Sequence, residues 1–395
     1  MSILLPVADA QAQLLAMAPR LGSERVSLLD AAGRWAAEPI IARRTQPPAD
    51  LSSMDGYAIR FDDLPGPWRI VGESAAGRAF DGSIRRGETV RIFTGAAMPE
   101  GADSVLVQEE AARDGDTLSL AGEGPPRRGM SVRRKGLDFD RGAVLIGAGA
   151  RLTPAAIALA ATGGHGALNV NRRLRIAILA TGDELIAPGT VSDDPLALPE
   201  GNSAMLTAML AGLPVDLTVT GIIPDRLEAL VAAFSAASAD IIVTTGGASV
   251  GDHDLVRPAL EAAGGAIDFW RIAIRPGKPM LAGRLGSTMV LGLPGNPVSA
   301  FVTATLFLRP LIAAMAGAAD PLPRLLRAEL AEPLPANDHR QDYLRGTLAD
   351  GRVSAAAVQD SSMLATLARA TCLIVRPPHA PPAATGDTVD ILPLA

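Results

Sequence analysis

The sequence predicts a multidomain protein of the α/β plus β class, whose largest unit is a doubly wound, mostly parallel α/β domain. Three observations lead to this prediction. At 395 residues the chain is too long for one hydrophobic core. Between about residues 173 and 318, short apolar runs alternate with amphipathic segments, which is typical of βαβ units. The segments on either side instead contain short strand patterns separated by Gly and Pro.

A discontinuous helical domain is predicted from residues 1–44 and 141–172. The segments ADAQAQLLAMAPRL and SLLDAAGRWAAEPI both have the spacing of amphipathic helices. The helical pattern returns in ARLTPAAIALAATGG, where Thr153 is a predicted N-cap and Pro154 occupies the first turn. Because the region between these segments has a β pattern, we interpret them as one domain that is interrupted by an insert.

The insert, residues 45–140, is predicted to be a small β domain. Short β-runs, such as those in GETVRIFTGAAMPEGADSVLVQEE, are joined by Gly-rich turns. Asp55 lies in the polar turn SSMDGYA, where an acidic residue beside glycine is either a simple turn former or a functional carboxylate. The mixed charges of RRKGLD, which include Lys135 and Asp138, form either a solvated loop or a surface that leans over an anionic ligand.

The α/β domain is predicted for residues 173–318 and a second small β-rich domain for residues 319–395. The predicted strands of the α/β domain are RIAILA, DLTVTGII, DIIVTT, FWRIAI and TMVLGL, and its predicted helices are SAMLTAMLAGL, RLEALVAAFSAA, DLVRPALEAAGG and VSAFVTATLFL. Right-handed crossovers place the loops that follow parallel strands at one edge of the sheet, where ligands bind in such folds. The C-terminal domain is predicted to contain short strands and a helix at SMLATLARA.

The segment TTGGASVGDHD, residues 244–254, follows a buried-strand pattern and precedes a predicted helix. Backbone N–H groups between a strand and a helix can point at an anion, so Gly246, Gly247 and Ser249 are candidate phosphate or oxyanion ligands. Asp252 and Asp254 add carboxylate oxygens that suit a hard cation such as Mg²⁺. The same pattern would also form a tight turn whose aspartates cap the following helix.

Other polar loops follow the remaining predicted strands and meet the same edge. They supply the carboxylates of Asp183, Glu184 and Asp225, the cations of Arg271, Arg275 and Lys278, and the Gly-containing backbone of residues 245–251 and 292–296. Acids interleaved with bases suit a phosphorylated ligand that is bridged by Mg²⁺. We therefore expect one cleft to hold all of these groups.

Composition and missing motifs exclude several classes of protein. The net charge of −6 argues against a general affinity for nucleic acid or anionic membranes. The single cysteine, Cys372, forms no internal disulfide and the N-terminal segment has no secretory pattern, so we expect a cytoplasmic protein without a membrane span. The longest apolar tract is interrupted by Arg309-Pro310. The sequence contains no Walker, GxGxxG, GxSxG or HExxH motif.

Seven motifs resemble those of the MoeA family, the molybdopterin molybdenumtransferases related to the E domain of gephyrin. They are SSMDGYA (52–58), FTGAAMPEGAD (93–103), RRKGLD (133–138), ATGDEL (180–185), TTGGASVGDHD (244–254), RPGKP (275–279) and LPGNPVS (293–299). The resemblance covers essentially the whole chain. It implies an α/β domain of the molybdopterin-binding type and an elongated homodimer of four-domain chains, in which the α/β cleft faces the partner's small β domain.

The resemblance also implies insertion of molybdate into adenylylated molybdopterin, with Mg²⁺-dependent release of AMP. A molybdopterin adenylyltransferase and apo-molybdoenzymes would be further partners. Taken with the loop positions, it assigns catalytic roles to Asp55, Asp138, Glu184, Asp225, Asp254 and Lys278, of which Glu184, Asp225 and Asp254 are the expected Mg²⁺ ligands. The residues expected to bind molybdopterin-AMP or the oxyanion are Thr94, Asp183, Gly246, Gly247, Ser249, Arg271, Arg275, Pro294, Gly295, Asn296, Pro297, Arg345 and Ser361.

One departure and two alternative functions accompany this assignment. Several relatives carry Lys where this chain has Arg271 and Arg275, and the bulkier guanidinium bears on affinity for molybdate and on its selection over tungstate. The alternatives are a molybdopterin-binding scaffold without turnover and a molybdopterin adenylyltransferase. The intact acids of the cleft count against the scaffold, and the flanking β domains count against the adenylyltransferase.

Overall fold

The computed structural model describes residues 4–247 and 255–394. Its helices are α1 (Val7–Met17), α2 (Leu28–Ala31), α3 (Pro154–Thr162), α4 (Asn202–Leu210), α5 (Leu227–Ala236), α6 (Val256–Ala262), α7 (Pro297–Thr303), α8 (Arg309–Met315) and α9 (Leu364–Arg369). Its strands are β1 (Ser23–Ser27), β2 (Ile40–Ile41), β3 (Leu51–Ser52), β4 (Gly56–Ile59), β5 (Trp68–Ser74), β6 (Glu88–Ile92), β7 (Ser104–Val107), β8 (Ala111–Asp114), β9 (Thr117–Leu120), β10 (Val132–Arg133), β11 (Val144–Ile146), β12 (Ala167–Asn171), β13 (Leu174–Thr181), β14 (Leu185–Ile186), β15 (Leu198–Pro199), β16 (Val215–Ile223), β17 (Ile241–Thr245), β18 (Ala266–Trp270), β19 (Ile274–Arg275), β20 (Leu281–Leu285), β21 (Thr288–Leu293), β22 (Leu326–Leu330), β23 (Gln341–Ala349), β24 (Arg352–Ala355), β25 (Cys372–Arg376) and β26 (Thr388–Pro393).

The two halves of the predicted N-terminal domain meet through short antiparallel pairings. Strand β1 pairs with β12 and β2 pairs with β11, so the chain segments that flank the insert lie side by side. Ala36, Ile40, Leu152 and Val170 form a small core with Ala160 of α3. These contacts join the two segments as a discontinuous domain requires, while its boundaries stay a prediction.

The helical content of this domain is lower than the sequence pattern predicted. The second expected helix, SLLDAAGRWAAEPI, is wrong beyond its first turn, because α2 ends at Ala31 and Gly33 then takes a φ of 77°. Trp35 continues as extended backbone that bridges to Arg151. An apolar spacing of three to four residues therefore describes which side chains are buried here, but not the backbone that buries them.

Helix α1 packs into a different core from the one that the domain prediction implied. Val7, Ala10 and Leu14 join the α/β core, and α1 contacts α8. The Gln11 side chain donates a 2.8 Å hydrogen bond to the Leu306 carbonyl oxygen. Because its apolar residues recur at the helical period, α1 can cover the sheet domain with one face. In the structure, α1 therefore packs against the α/β domain, and its assignment to the N-terminal domain stays a prediction.

Residues of the insert form a six-stranded sheet with the order β7-β4-β6-β5-β9-β8. Tyr57 and Leu106 belong to a small core on one face, whereas Ala58 and Ile92 belong to a core on the other. Neighbouring residues of β4 therefore face two cores, as the two-residue period of a strand dictates. A separate pairing of β3 with β10 holds the SSMDGYA turn close to the RRKGLD segment.

The α/β sheet has the strand order β16-β13-β17-β21-β20-β18, which confirms the predicted mostly parallel, doubly wound fold. The first four strands are parallel, whereas β20 runs antiparallel to both of its neighbours. Strand β17 is buried at every position, which is typical of a central strand covered on both faces. Strands β13, β16, β17 and β21 all end at one edge of the sheet, the carboxyl edge, and begin at the opposite amino edge.

The predicted strand FWRIAI is divided between two sheets. Strand β18 ends at Trp270, Arg271 takes a φ of 73°, and β19 then pairs with Gln341–Asp342 of the C-terminal domain. The segment LAGRL, for which no strand was predicted, forms β20 between β18 and β21. An apolar run indicates extended backbone, but tertiary contacts decide which sheet it joins.

A single helix runs from Pro297 to Met315 through α7, a π-helical turn at Ala304–Leu308, and α8. The wide turn precedes Pro310, whose ring would otherwise clash with the preceding turn, so Arg309-Pro310 interrupts the apolar sequence but not the helix. Among the described helices, this one is long and apolar enough to cross a membrane, yet 83% of its apolar window is buried inside the protein. It is the core helix of the α/β domain.

The strands of the C-terminal domain close on themselves, because β23 pairs with both β24 and β25. Leu330, Val353, Ile374 and Ile391 lie in the interior. The predicted helix SMLATLARA and the strand CLIVRP are confirmed as α9 and β25. Strand β19 pairs parallel to β23 and ties this domain to the segment that leads to Lys278.

Candidate functional site

The carboxyl edge brings three Gly-containing loops into contact. Gly246 and Gly247 have φ values of 93° and 59°. A Cβ atom on Gly246 would lie 2.4 Å from the Thr181 carbonyl oxygen, and one on Gly295 would lie 3.4 Å from the Gly246 Cα atom. The loops after β13, β17 and β21 therefore pack backbone against backbone, which glycine alone allows at Gly246. Such a surface lets a ligand approach main-chain groups closely.

The loop after β21 also begins the core helix. Asn296 is the N-cap residue and Pro297 is the first helical residue. The Asn202 side chain donates a 2.8 Å hydrogen bond to the Gly295 carbonyl oxygen and so holds the loop in place. A helix N-terminus carries partial positive charge and unsatisfied N–H groups. The predicted ligand-binding stretch from Pro294 to Pro297 thus lies at an end of the helix that attracts anions.

Predicted acidic residues also lie at this edge. The Asp183 Oδ1 atom accepts a 3.0 Å hydrogen bond from the Asp225 backbone N–H. The Glu184 side chain folds back over Gly182, since a Cβ atom there would lie 2.6 Å from the Glu184 Oε2 atom. Asp183 and Glu184 are exposed, and neither forms an ion pair with an Arg or Lys that the structure describes. The carboxyl edge therefore carries negative charge that these cations leave unneutralised.

Part of the predicted site lies outside the described residues. Ser249, Asp252 and Asp254 belong to this part, so their assignments stay predictions. Among residues 4–247 and 255–394, no group of three or more His, Cys, Asp or Glu side chains is arranged to hold a metal ion. Mg²⁺ is commonly bound by one or two carboxylates together with substrate phosphates, so the acids of this edge match that ion in the presence of a phosphorylated substrate.

Two of the predicted cations, Arg275 and Lys278, differ in their surroundings. Arg275 forms ion pairs with the buried Asp342 and, at 3.3 Å, with Asp338 of the C-terminal domain. Its hydrogen bond to Asp342 raises the pKa of Arg275, whereas burial raises the pKa of Asp342. Lys278 is exposed and makes no ion pair with any described residue. Lys278 is therefore open to an anion, while Arg275 joins two domains.

The third predicted cation, Arg271, is held in an unusual position. Its guanidinium lies 4.6 Å from the centroid of the Trp270 ring, an attractive cation–π geometry. Its carbonyl oxygen accepts a 3.3 Å hydrogen bond from the Leu5 N–H, which anchors the segment. The buried Arg271 Nε atom has no hydrogen-bond partner in the described structure. Arg271 thus keeps a donor that a ligand or water could use.

Arg345 and Ser361 lie where the α/β and C-terminal domains meet. The Asn296 side chain donates a 3.2 Å hydrogen bond to the Ser361 hydroxyl, and the Val298 N–H donates one of 3.2 Å to the Ser361 carbonyl oxygen. Arg345 is only 1% exposed and donates a 3.0 Å hydrogen bond to the Asp360 carbonyl oxygen. Burial lowers the pKa of Arg345, and its Nε atom is unpartnered within the described chain. A buried donor in this state favours an anionic ligand.

The predicted residues of the insert form a self-contained group. Asp55 accepts hydrogen bonds of 2.8 Å from both the Thr94 backbone N–H and the Thr94 hydroxyl, and these bonds lower the pKa of Asp55. Asp138 is exposed. No hydrogen bond or ion pair links either acid to the carboxyl edge in the described part of the chain. The structure therefore brings Asp55 and Thr94 together, as a unit apart from the acids of the α/β domain.

Four contributing residues were missed by the sequence reasoning. Arg91 lies 5.0 Å and 4.8 Å from the ring centroids of Tyr57 and Phe93 and donates a hydrogen bond to the carbonyl oxygen next to Asp55. The other three are Asn202, Asp342 and Gln359, the last of which bonds both main-chain polar groups of Arg345. Asn202 had a signal, because it starts a helix. Asp342 and Gln359 had no such signal in the sequence, because the residues that they contact are distant along the chain.

Three family models match this chain. They describe a MoeA N-terminal region (domains I and II) at residues 5–164, a probable molybdopterin binding domain at residues 177–314 and a MoeA C-terminal region (domain IV) at residues 327–394. A molybdopterin molybdenumtransferase of Haemophilus influenzae is 35% identical, covering 94% of this chain and 94% of its own length. A molybdopterin molybdenumtransferase of a Nostoc species is 32% identical, covering 94% and 89%. The crystal structure of a molybdopterin biosynthesis MoeA protein from Pyrococcus horikoshii has a TM-score of 0.80 at 26% identity, with 100% of both chains covered.

Proposed function

Because this chain belongs to the MoeA family, we propose that it is a molybdopterin molybdenumtransferase of molybdenum cofactor biosynthesis. In this reaction, molybdate enters adenylylated molybdopterin and AMP is released with the help of Mg²⁺. The observation that carries the proposal is the carboxyl edge, where unneutralised carboxylates, glycine-lined main chain and a helix N-terminus converge. A phosphorylated substrate with a bridging cation requires both kinds of group.

Glu184 and Asp225 would hold Mg²⁺, with Asp254 as a third ligand predicted by the sequence. Carboxylate oxygens are the hard donors that this ion prefers, and Glu184 is exposed at the edge where the phosphates would lie. When bound, Mg²⁺ supplies charge that polarises the phosphoanhydride and stabilises the departing AMP. Asp183 orients the main chain at Asp225 through its 3.0 Å hydrogen bond.

The glycine loops and the core helix would bind the phosphates of the substrate. Gly246 and Gly247 let the main chain approach them closely, since neither carries a side chain. The N-terminus of the helix at Asn296 adds a favourable dipole. Held in this way, the phosphoanhydride would lie at a fixed distance from the carboxylates. Such positioning of reacting groups is the contribution of proximity and orientation to catalysis.

Molybdate, the second substrate, would bind where the α/β and C-terminal domains meet. Lys278 offers an exposed ammonium that is free of ion pairs within the described chain, and Arg345 offers a buried guanidinium with an unused Nε donor. Ser361 is bonded to the cleft loop through Asn296, so its position follows the phosphate site. Two reactants bound side by side can lower a barrier by roughly 7 kcal/mol or more in favourable cases.

Asp55, Thr94 and Asp138 would act across the interface of a homodimer. Their position in the insert, without a bond to the carboxyl edge among the described residues, supports a role opposite the partner's cleft. In the cytoplasm, a molybdopterin adenylyltransferase would supply the substrate and apo-molybdoenzymes would accept the product.

The test is single-turnover release of AMP from adenylylated molybdopterin in the presence of molybdate and Mg²⁺, followed by reconstitution of an apo-molybdoenzyme. The wild-type protein should release AMP and restore enzyme activity. Asp225→Asn should lower the rate of AMP release at least about 100-fold, because it removes a metal ligand. The matched control is Asp216→Asn, an acid that lies at the amino edge and is bonded to Arg173; it should keep the wild-type rate.

Two outcomes would favour the alternative functions. Tight binding of adenylylated molybdopterin without release of AMP would indicate a scaffold. ATP-dependent adenylylation of molybdopterin would indicate an adenylyltransferase.

A further inference from the structure

A cationic cavity lies where the N-terminal, α/β and C-terminal domains meet. Its volume is about 570 Å³, and its walls include Trp35, Arg151, Arg309, Asp320, Arg324 and Leu394. Pro297 begins the core helix at the carboxyl edge, and Arg309 lies twelve residues further along it. At 1.5 Å per residue this places Arg309 about 18 Å from the proposed active site. The cavity is therefore separate from that site.

Arg309 is the least compensated charge in this cavity. Its side chain makes no hydrogen bond or ion pair with any residue from 4–247 or 255–394. Arg309 is exposed to solvent, yet the groups packed around its guanidinium partly desolvate it, and this desolvation together with the neighbouring charge of Arg151 lowers the pKa of Arg309. Solvent offsets only part of the repulsion between two neighbouring guanidinium groups, and a bound anion would offset the rest. Its surroundings thus favour a negatively charged ligand.

The other charged groups of the cavity do not supply that anion. Arg151 donates hydrogen bonds of 3.3 Å and 2.9 Å to the carbonyl oxygens of Gly33 and Gly212, and it is 5.8 Å from the Trp35 ring centroid. Asp320 is paired with Arg324 at 4.0 Å. Three arginines and one aspartate leave two positive charges in the described cavity wall.

We propose that this cavity is a second anion-binding site, which takes a tetrahedral dianion such as inorganic phosphate or the phosphate group of a phosphomonoester. Arg309 and Arg151 present planar groups of donors, which match the oxygens of such an ion better than a lysine would. Because three domains form the walls, a bound anion ties the N-terminal and C-terminal domains to the core helix.

The test is calorimetric titration of the full-length protein with sodium phosphate, with ionic strength held constant by sodium chloride. Arg309→Met should raise the phosphate Kd at least about tenfold, because it removes a charge-assisted contact. Arg309→Lys keeps the charge but loses the planar guanidinium, so its phosphate Kd should lie between those of the wild type and Arg309→Met. The matched control is Arg327→Met, an exposed arginine of the C-terminal domain outside the cavity, which should bind phosphate as the wild type does.

A second control separates this cavity from the proposed active site. Lys278→Met removes a cation of the carboxyl edge, and the Arg309-dependent phosphate binding should persist in it. Glycerol 3-phosphate then distinguishes the two sources of the ligand: competition with phosphate indicates a phosphomonoester site, and its absence indicates a site for the free oxyanion. Arg309→Met should leave AMP release unchanged, so this proposal and the proposed function can fail independently.

Three results would overturn the proposal. One is an unchanged phosphate Kd in Arg309→Met. Another is phosphate binding that disappears in Lys278→Met alone, which would place the anion at the carboxyl edge. The third combines two findings: the wild type binds no phosphate, and the Arg309→Met protein is no longer a dimer. Together they would assign Arg309 to a subunit contact.

Discussion

The two edges of the α/β sheet use charge in opposite ways. At the amino edge, Asp240 accepts hydrogen bonds of 2.8 Å and 2.7 Å from the Arg172 guanidinium and one of 2.8 Å from the Arg175 N–H. Burial acts to raise the pKa of Asp240, but these bonds outweigh it and lower the pKa to about 2. Arg173 is likewise bonded to Asp216 at 2.7 Å. These charges of the amino edge are paired with one another.

At the carboxyl edge, Asp183, Glu184 and Lys278 make no ion pair with the residues that the structure describes. Arg275 is an exception, since its partners Asp338 and Asp342 belong to the C-terminal domain. A paired charge contributes to the stability of the fold, whereas an unpaired charge on a fixed backbone is available to a ligand. The comparison therefore assigns a stabilising role to the amino edge and supports the proposed binding role of the carboxyl edge.

The largest expected effect is on turnover at the carboxyl edge. Glu184→Gln keeps the shape of the side chain but removes the charge that we propose to hold Mg²⁺. AMP release should fall about 1000-fold, which corresponds to about 4 kcal/mol of barrier, because several kcal/mol of catalysis depend on the metal. The free energy of unfolding should change by less than about 0.5 kcal/mol, since the side chain is exposed. Single-turnover kinetics and urea unfolding measure the two quantities. Turnover at the wild-type rate would remove Glu184 from the metal site.

The second effect concerns Arg275. This residue lies near the carboxyl edge, but it forms ion pairs as the charged residues of the amino edge do. Arg275→Met leaves the Asp342 carboxylate buried without its cation, which should lower the free energy of unfolding by about 3 kcal/mol. Adding Asp342→Asn should restore at least about 1 kcal/mol of it, because the uncompensated charge is gone. Urea unfolding of the two single variants and the double variant gives the coupling.

Lys278→Met is the matched control for Arg275. It should leave stability unchanged and weaken molybdate binding. If Arg275→Met were as stable as the wild type, and its molybdate affinity were the property that changed, Arg275 would belong with the unpaired charges of the binding edge.

The smallest effect is on acid stability at the amino edge. The folded-state pKa of Asp240, about 2, is below its ordinary value of 3.8, so its contribution is complete above pH 3.8 and is lost as the pH falls towards 2. Asp240→Asn should therefore cost about 2 kcal/mol at pH 7, and the difference from the wild type should shrink to less than about 0.5 kcal/mol as the pH approaches 2. AMP release should not change.

The tryptophans allow this measurement to be confined to one domain. Trp270 lies at the end of β18 in the α/β sheet, whereas Trp68 lies in the insert, so the fluorescence of Trp270 in a background without Trp35 and Trp68 follows the α/β domain. A constant difference between the two proteins from pH 7 to pH 2 would show that the Asp240 carboxylate does not contribute through its charge.

Much of the fold could be predicted because its signals are local. Strands such as β13 and β17 are continuous apolar runs, and helices such as α5 follow them at the expected spacing, so the alternation is visible without any contact between them. The wrong predictions occurred where contacts between distant segments, and not the local pattern, decide which strands pair. The segment FWRIAI divided between two sheets because distant residues decided which strands it pairs with. Helix α1 was predicted, but its packing against the α/β core was not visible in the local pattern.

The candidate site shows the same division. The glycines at 246 and 247 and the acids at 183 and 184 were predictable, because a loop after a parallel strand has a known place in the sheet. The hydrogen bond of Asn202 to Gly295, and the enclosure of Arg345 by Gln359, depend on side chains that meet after the chain has folded. The sequence pattern places Asn202 at the start of a helix, but it carries no signal of the partner that either side chain meets.

The sequence by itself determined the order of the domains, the parallel α/β core and the edge of the sheet at which the polar loops gather, because hydrophobic periodicity and right-handed crossovers are properties of consecutive residues. Only the tertiary structure decided which charges at that edge are neutralised. Arg275 and Lys278 are three residues apart and look alike in the sequence, yet one meets a buried aspartate of another domain and the other makes no ion pair in the described structure. The physical reason is that pairing depends on distance in space and on desolvation, and both are set by the packing of domains.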